Sequence, residues 1–326
     1  MVDKEHQAEP KVDIIKNTSA GIFILLIVLV AIFYAMNPIF LSGQNVAAMA
    51  RAMSYSGIIA VGMALCLISG VIDLSVGSTA AFASVMFGRS IALWNIDLIP
   101  SIIIGLVASM LVGFVNAYVI LKMKVTPFIA TISMMFIVRG LAMFASNGYS
   151  IYPLPEPALT IGQAKPLGTA WVFVAFLIII VIAHIIMEYS LFGLLTRATG
   201  SDREVATCTE VDVDKVNTIN LVAISLLAGV AGIFISFMMN AGSPTTGVGW
   251  EFTAITACAI GGVSLFGYHG NMFGLFCGLA VIQVIQNGIV MVGVSPHLQS
   301  VFVGGILLIA MAVDVRRRTY LNLDKI

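Results

Sequence analysis

An aspartate interrupts a long apolar stretch in the segment ISGVIDLSVGS, residues 68–78. Residues 52–72 before Asp73 and residues 74–88 after it contain no Asp, Glu, Lys or Arg. A carboxylate in the hydrocarbon of a bilayer costs about 2.5–3.5 kcal/mol, so Asp73 needs a compensating partner. Its place before an apolar run suits a helix N-cap that accepts first-turn amide hydrogens near the positive helix end. The alternative is a pathway or gating residue at the inner mouth of a route across the membrane.

Other polar side chains also lie in or beside apolar runs. Glu251 opens such a run, and capping is again the default interpretation, with Arg51, Arg89 or Arg139 as an ion-pair partner. The amides within apolar runs can form hydrogen bonds between helices or line a route for an uncharged hydroxylated solute. The candidates for a substrate pathway are Asp73, Ser75, Asn116, Thr126, Glu251, Gln283 and Asn287.

No set of residues points to catalysis. The chain has no Gly-Lys pair, which excludes a phosphate-binding P-loop, and it has no H-E-x-x-H motif. Ser264 and His269 are better explained by a tight turn, because neighbouring loop residues rarely assemble a nucleophile and its base. The four cysteines lack metal-ligand spacing and are interpreted as small core residues. No catalytic residue, metal or cofactor is therefore expected.

Composition places these residues in a membrane. The 326 residues are 60% hydrophobic and 10% charged, too few charges to cover a water-soluble surface, and a net charge of zero argues against nucleic acid. A helix needs about 20 apolar residues to cross a bilayer. The predicted fold is an all-α polytopic membrane protein with about ten spans, at 19–36, 46–69, 75–95, 98–121, 126–145, 169–189, 217–239, 252–267, 270–292 and 297–314.

The distribution of Lys and Arg predicts the orientation. With both termini in the cytoplasm, twelve of the sixteen basic residues fall on the inner side, as the positive-inside rule requires. Residues 1–18 are then a cytoplasmic N-terminal tail rather than a signal peptide, residues 19–314 a single transmembrane domain, and residues 315–326 a cytoplasmic C-terminal tail. The one sizeable hydrophilic inner segment is 190–216.

Short matches indicate an internal repeat. VTP at 125–127 and VSP at 294–296 each follow a Gly-Leu pair by the same interval, and SVG at 75–77 corresponds to GVG at 247–249. In the predicted topology the first proline turn is inside and the second outside. This predicts an inverted repeat of spans 2–5 and 7–10, a pattern typical of transporters.

Five segments resemble the permease subunits of bacterial ATP-binding-cassette (ABC) importers for monosaccharides, the ribose, allose, galactose and xylose group. They cover nearly the whole chain: AVGMALCLISGVIDLSVGS (60–78), KVTPFIATISMMFIVRG (124–140), GLLTRATGSDREVATCTEVDV (193–213), GVGWEFTAITACAIGGVSLFGYHG (247–270) and QNGIVMVGVS (286–295). The resemblance implies an inner-membrane transport subunit that is not itself an enzyme. Its implied partners are a cytoplasmic ABC ATPase, a periplasmic sugar-binding protein and a second permease copy.

An ATP-driven permease needs an element that carries motion from the ATPase, and only the segment 190–216 is long and polar enough. SDREVATCTEV predicts a short helix with Ser201 as N-cap and Glu204 completing a capping box, preceded by a sharp turn at Gly200. Val205, Ala206 and Val211 would offer an apolar contact ringed by Arg203, Glu204 and Glu210. The candidate coupling residues are Gly193, Arg197, Gly200, Ser201, Arg203, Glu204, Ala206 and Val211.

Alternatives to these interpretations remain at this level. The segment 190–216 could be a plain solvated loop. The chain could be a secondary carrier coupled to protons or sodium, which would need no ATPase and would depend on one intramembrane acid. In the ABC interpretation, the 241–251 region with Trp250 and Glu251 is expected where the binding protein docks or the pathway opens.

Overall fold

The computed structural model describes residues 11–164, 170–208 and 211–320, and they form a helical bundle. No strand occurs in these ranges beyond one isolated bridge between Ile151 and Gly242, so the predicted all-α class is confirmed. The predictions for residues 1–10, for Glu210 and for residues 321–326 lie outside the described residues. The α-helices are α1 (Lys11–Met36), α2 (Gly43–Ile68), α3 (Val76–Ala92), α4 (Leu98–Ala117), α5 (Pro127–Ala145), α6 (Glu156–Gln163), α7 (Trp171–Tyr189), α8 (Leu191–Ser201), α9 (Arg203–Cys208), α10 (Val213–Met239), α11 (Trp250–Ile260), α12 (Met272–Met291) and α13 (Gln299–Tyr320).

Helix lengths agree with only part of the predicted span count. Among the described residues, six helices are long and apolar enough to cross a membrane: α2, α4 with its π-helical extension Tyr118–Lys122, α5, α7, α10 and α12. A helix lies at each of the ten predicted positions, but α11 has 11 residues and rises only about 16 Å, half the hydrocarbon thickness. The prediction of one continuous span over 252–267 is therefore wrong. Helices α1 and α13 extend into the predicted tails.

Helix α2 forms the centre of the bundle. In its most apolar window 89% of the residues are buried, against 22% for α5 and 28% for α7, whose apolar faces are left for lipid. Helix α10 packs directly on α2 at Gly62, where an added methyl group would lie 2.7 Å from the Ile224 Cα. Close helix approach through small residues is the usual packing mode in membranes, where burial of apolar surface gives little driving force.

The N-termini of α3 and α11 meet inside the bundle, in a region we call the central junction (residues 73–77 and 247–251). After α10, the chain turns back along α3, so that Gly242 lies against Gly88 and Gly247 against Gly77. Beyond α11 it reaches the end of α2, where the Tyr268 amide donates to the Ile68 carbonyl at 2.9 Å. Helices α3 and α11 therefore start at the same level and run in opposite directions.

The two predicted repeat halves show the same order of elements. Helices α2 and α10 have 26 and 27 residues, α3 and α11 are the short members, and α4 and α12 have 20 residues each. VTP follows Lys124 at φ +59° and opens α5, while VSP follows Gly293 at φ +88° and leads into α13. SVG (75–77) and GVG (247–249) both lie within the central junction. These correspondences support the predicted repeat.

The central junction predicts a strict requirement for glycine. At Gly77 a methyl group would overlap the Gly247 carbonyl oxygen and the Glu251 carboxylate, and at Gly247 it would lie 2.6 Å from the Gly77 carbonyl oxygen. Gly247 also has φ +74°, a conformation unfavourable for any L side chain. We expect Gly77→Ala and Gly247→Ala to lower stability by at least about 1–3 kcal/mol, because backbone must move to relieve the overlap.

The measurement is the melting temperature and monodisperse fraction of the purified protein in detergent. Gly21→Ala in α1 is the matched control, since no atom lies within 4 Å of the added methyl group. Equal melting temperatures for the three variants would contradict a tight contact at the central junction.

Candidate functional site

Asp73 is completely buried and holds three hydrogen bonds. Its Oδ1 accepts from the backbone amide of Ser75 at 2.8 Å and from the Ser75 hydroxyl at 2.6 Å. Its Oδ2 accepts from the Asn116 amide nitrogen at 3.2 Å, and that nitrogen also donates to the Ser75 hydroxyl oxygen at 2.9 Å. Asp73, Ser75 and Asn116, three of the predicted site residues, thus form one network between the start of α3 and the C-terminal end of α4.

The capping role of Asp73 differs from the prediction. Ser75 occupies the N-cap position of α3 and makes no side-chain capping bond, and Asp73 lies two residues earlier. Its carboxylate binds the amide of Ser75 rather than the first-turn amides of the helix. The charge nevertheless lies beside the positive end of α3, where a negative group is favoured by up to about 2 kcal/mol.

Glu251 lies at the central junction and not on an outer surface. Only 6% of the residue is exposed, and its Oε2 is in contact with the backbone at Gly77. None of the three predicted arginine partners forms an ion pair with Glu251 among the described residues, and the Arg139 guanidinium donates instead to the carbonyls of Pro244 and Thr246 at 2.7 and 2.8 Å. Trp250 stacks on Tyr55 with 6.2 Å between ring centroids. Glu251 is therefore buried within this chain, and the role of the 241–251 region, as the place where the binding protein docks or the pathway opens, stays a prediction.

The remaining pathway candidates lie apart from the central junction. Thr126 is the N-cap residue of α5 without a side-chain capping bond, and it faces a cavity beside α8. Asn287 of α12 and Asn45 of α2 exchange two amide hydrogen bonds of 2.9 and 3.0 Å, as the interhelical interpretation predicts. Gln283 is half-buried on α12. The structure thus joins Asp73, Ser75, Asn116 and Glu251 into one region but leaves these three elsewhere.

The segment 190–216 forms two short helices, α8 and α9, where the sequence predicted one. The Ser190 hydroxyl caps α8 by accepting from the Gly193 amide at 3.2 Å. Asp202 caps α9, because its Oδ1 accepts from the amides of Glu204 and Val205 at 2.8 and 3.0 Å. The predicted cap, Ser201, is instead the last residue of α8. Asp202 has the extended backbone (φ −155°, ψ 115°) that a capping residue requires.

Gly200 also differs from its predicted role. It is helical within α8 and makes no sharp turn. An added methyl group there would overlap the Ile68 carbonyl oxygen and lie 3.0 Å from the Tyr268 amide nitrogen. Gly200 therefore lets α8 approach the end of α2 and the turn at Gly267, a close contact that the sequence alone did not indicate.

The predicted apolar contact of α9 is divided between two faces. Ala206 is buried with 3% exposure, whereas Val205 is 59% exposed and Glu204 is exposed beside it. Val211 is half-buried, and its amide donates to the Ala206 carbonyl at 3.2 Å. Ala206 is therefore packed inside the bundle, and of the three residues predicted to form this contact, Val205 is the exposed one.

Two ion pairs fix this segment from the sides. Arg197 pairs with Glu188 at the end of α7, and Arg203 pairs with Asp214 of α10 at 2.9 Å, with Lys122 3.9 Å from the same carboxylate. Sequence reasoning missed Asp202 and Asp214. Asp is a favoured N-cap residue, so the sequence could have indicated Asp202 as the cap of α9. The pairing of Arg203 with Asp214 could not be predicted, because it depends on how α9 packs against α10.

Comparisons with known proteins identify relatives over most of the chain. Residues 45–311 match the family described as the branched-chain amino acid transport system / permease component. The L-arabinose transport system permease protein AraH of Escherichia coli (strain K12) is 35% identical over 300 residues, 90% of this chain and 88% of that protein. The ribose import permease protein RbsC of Bacillus subtilis (strain 168) is 31% identical over 299 residues, 91% of this chain and 92% of that protein. No solved structure matches the chain.

The Asp73 network predicts a large loss of stability when the carboxylate is removed. Asp73→Ala leaves the Ser75 amide and hydroxyl without an acceptor, at about 1–3 kcal/mol each, while the Asn116 amide nitrogen keeps its bond to the Ser75 hydroxyl oxygen. We expect a clearly lower melting temperature in detergent, with Asp73→Asn in between, since its remaining carbonyl oxygen can still accept from Ser75.

The control is Asp97→Ala, at the exposed N-cap of α4, where the side chain makes no capping bond. A similar small effect for Asp73→Ala and Asp97→Ala would show that the network contributes little to the fold.

Proposed function

The chain belongs to the family of transport permease components described as the branched-chain amino acid transport system / permease component, and on that premise we propose that it carries a monosaccharide inward in an ABC importer. The observation that carries the proposal is the identity of 35% to an L-arabinose permease over 90% of the chain, joined by ribose permeases at about 30%. L-Arabinose and ribose are both five-carbon sugars, so we propose a pentose as substrate. A transport subunit of this kind is not an enzyme.

ATP hydrolysis then belongs to a separate ATPase. The chain lacks a P-loop, and its relatives are permease components. We therefore prefer the ABC importer to the alternative of an ion-coupled secondary carrier. We propose that the permease lies in the bacterial inner membrane and that a substrate-binding protein delivers the sugar to it from the periplasmic side. Lipid would cover the exposed apolar faces of α4, α5 and α7.

We propose the orientation in which α8 and α9 face the cytoplasm. Basic residues gather at this end of the molecule, among them Lys122, Lys124, Arg203 and Lys215. The positive-inside rule places such a group on the cytoplasmic side. In this orientation the chain has ten membrane segments, with its terminal residues inside, and α3 and α11 begin near the middle of the bilayer. Discontinuous helices that meet near the midplane typically flank the substrate route of transporters with inverted repeats.

We propose that two copies of this chain form the permease. Gly140 on α5 and Gly304 and Gly305 on α13 are exposed, and nothing lies within 4 Å of an added methyl group at any of them. Glycines on the outer face of membrane helices favour close contact with another helix. Native mass spectrometry of the purified complex should give two copies. A single copy, or a pair with a different permease chain, would contradict the proposal.

Reconstitution tests the proposed transport. With its ATPase, its binding protein and luminal ATP, the permease should accumulate labelled L-arabinose or D-ribose in proteoliposomes. Omitting the ATPase should abolish accumulation, because no ion gradient drives this transport. The matched arm replaces the sugar with leucine, the class of solute in the family description.

Accumulation of leucine without sugar would assign the chain to amino-acid import. Accumulation of sugar on an ion gradient alone would overturn the ABC mechanism.

The exposed face of α9 should transmit the ATPase motion. Val205 is exposed, so a cation placed there alters no buried position. In the proposed apolar contact with the ATPase, that cation would disturb docking. We expect Val205→Arg to reduce import at least about tenfold while ATP hydrolysis continues. The measurement is the ratio of sugar imported to ATP hydrolysed.

Val205→Thr keeps the branched shape and is the control expected to retain coupling. Import by Val205→Arg at the normal ratio would exclude α9 as the coupling element.

A further inference from the structure

Two exposed lysines lie at the turn between α4 and α5, at the end of the molecule that carries α8 and α9. Lys122 ends the π-helical extension of α4, and Lys124 follows it by two residues. The sequence from 98 to 155, which contains both helices and this turn, has no Asp or Glu. The transport mechanism proposed above uses these two charges only to orient the chain.

The charge of each lysine is largely unused by the protein. The Lys122 ammonium lies 3.9 Å from the Asp214 carboxylate, but Arg203 binds the same carboxylate at 2.9 Å. The Lys122 side chain also stays 68% exposed. Lys124 forms no ion pair with any residue that the structure describes. An anion that approaches this turn therefore meets two available cations.

The backbone of the turn is unusual at both lysines. Lys124 has φ +59°, in the left-handed region that favours glycine or asparagine over lysine. Just before it, α4 widens into a π-helical turn, in which the Met123 amide donates to the Tyr118 carbonyl at 3.2 Å. Strained residues and π-helical turns are both concentrated at functional sites, so their coincidence here indicates a use for the turn.

An exposed apolar stripe on α4 leads to Lys122. Val107, Leu111, Phe114 and Tyr118 are each about half exposed or more, and they lie three or four residues apart, so they share one face of the helix. From Val107 to Tyr118 the helix rises roughly 16 Å, about the hydrocarbon depth of one leaflet. Tyr118 is 62% exposed, and tyrosines on such faces are enriched at the level of the lipid headgroups. Lys122 follows four residues later on the same face.

We propose that this surface binds an anionic phospholipid of the cytoplasmic leaflet, an assignment that rests on the orientation proposed above. An acyl chain lies along the exposed stripe of α4, and the phosphate lies between the Lys122 and Lys124 ammonium groups. The stripe alone would accept any lipid, whereas the two charges select an anionic headgroup. The phosphate also neutralises Lys122 and leaves the Asp214 carboxylate to Arg203, which strengthens the link between α9 and α10.

Native mass spectrometry of the purified full-length permease in detergent tests the site. Phosphatidylglycerol and phosphatidylcholine with identical acyl chains are titrated onto the protein in separate series. We expect tighter binding of phosphatidylglycerol, because it has a net negative charge and phosphatidylcholine has none. Lys122→Gln and Lys124→Asn should each weaken phosphatidylglycerol binding about fivefold. Asparagine tolerates the left-handed backbone, so Lys124→Asn removes the charge without adding strain.

Two control variants separate this site from general attraction to basic residues. Lys122→Arg keeps the charge and should bind phosphatidylglycerol as the unchanged protein does. Arg316→Gln removes an exposed cation near the end of α13, on a different helix, and should also leave binding unchanged. Equal affinities for the two lipids, or the same weakening in Arg316→Gln as in the lysine variants, would overturn the proposed site.

A competition arm separates a lipid from a soluble anion. Excess inorganic phosphate should not displace phosphatidylglycerol, because free phosphate has no acyl chain to place on the stripe. Displacement would assign the two lysines to a soluble phosphate and overturn the lipid site. These binding measurements need neither import nor a known orientation, so failed import would contradict the transport proposal alone.

Discussion

The contact between the N-termini of α3 and α11 constrains the rest of the structure. Gly77 and Gly247 bring two backbones so close that neither position has room for a side chain. Because these helices begin inside the bundle, the non-helical residues 69–75 and 240–249 must enter it from opposite ends. Backbone without helical hydrogen bonds survives at such depth only when protein surrounds it. Helices α2 and α10, which pack against each other at Gly62, provide that surrounding.

The same geometry explains why acids occur in so apolar a chain. Two helix N-termini that point toward each other place two positive ends together, and Asp73 and Glu251 lie beside them. For Asp73, three hydrogen bonds offset part of the cost of about 2.5–3.5 kcal/mol for placing the carboxylate in the membrane. Both acids are therefore explained first as parts of the fold that keep the central junction together.

Residues 69–71 connect the central junction to the segment at which the ATPase is proposed to act. They follow α2, whose last carbonyl lies against Gly200 of α8, and they share a cavity wall with residues 199–203. The turn at Gly267 packs on the same glycine. Movement of α8 therefore acts directly on the ends of α2 and on the segment that leads to α3. This contiguous packing gives a physical route from the proposed ATPase contact to the interior.

The sequence by itself determined the helical class, the positions of ten helical segments, the polar segment 190–216 and the resemblance to importer permeases, because hydropathy, charge and motif strings are local properties. The tertiary structure decided what depends on distant contacts. It made α11 too short to cross, placed Glu251 against Gly77 instead of at a surface, turned Ala206 inward and gave Gly200 a packing role. It also assigned the α9 cap to Asp202, since the cap depends on where α8 ends. The physical reason is that burial and close approach are set by neighbours far away in the chain, which periodicity does not encode.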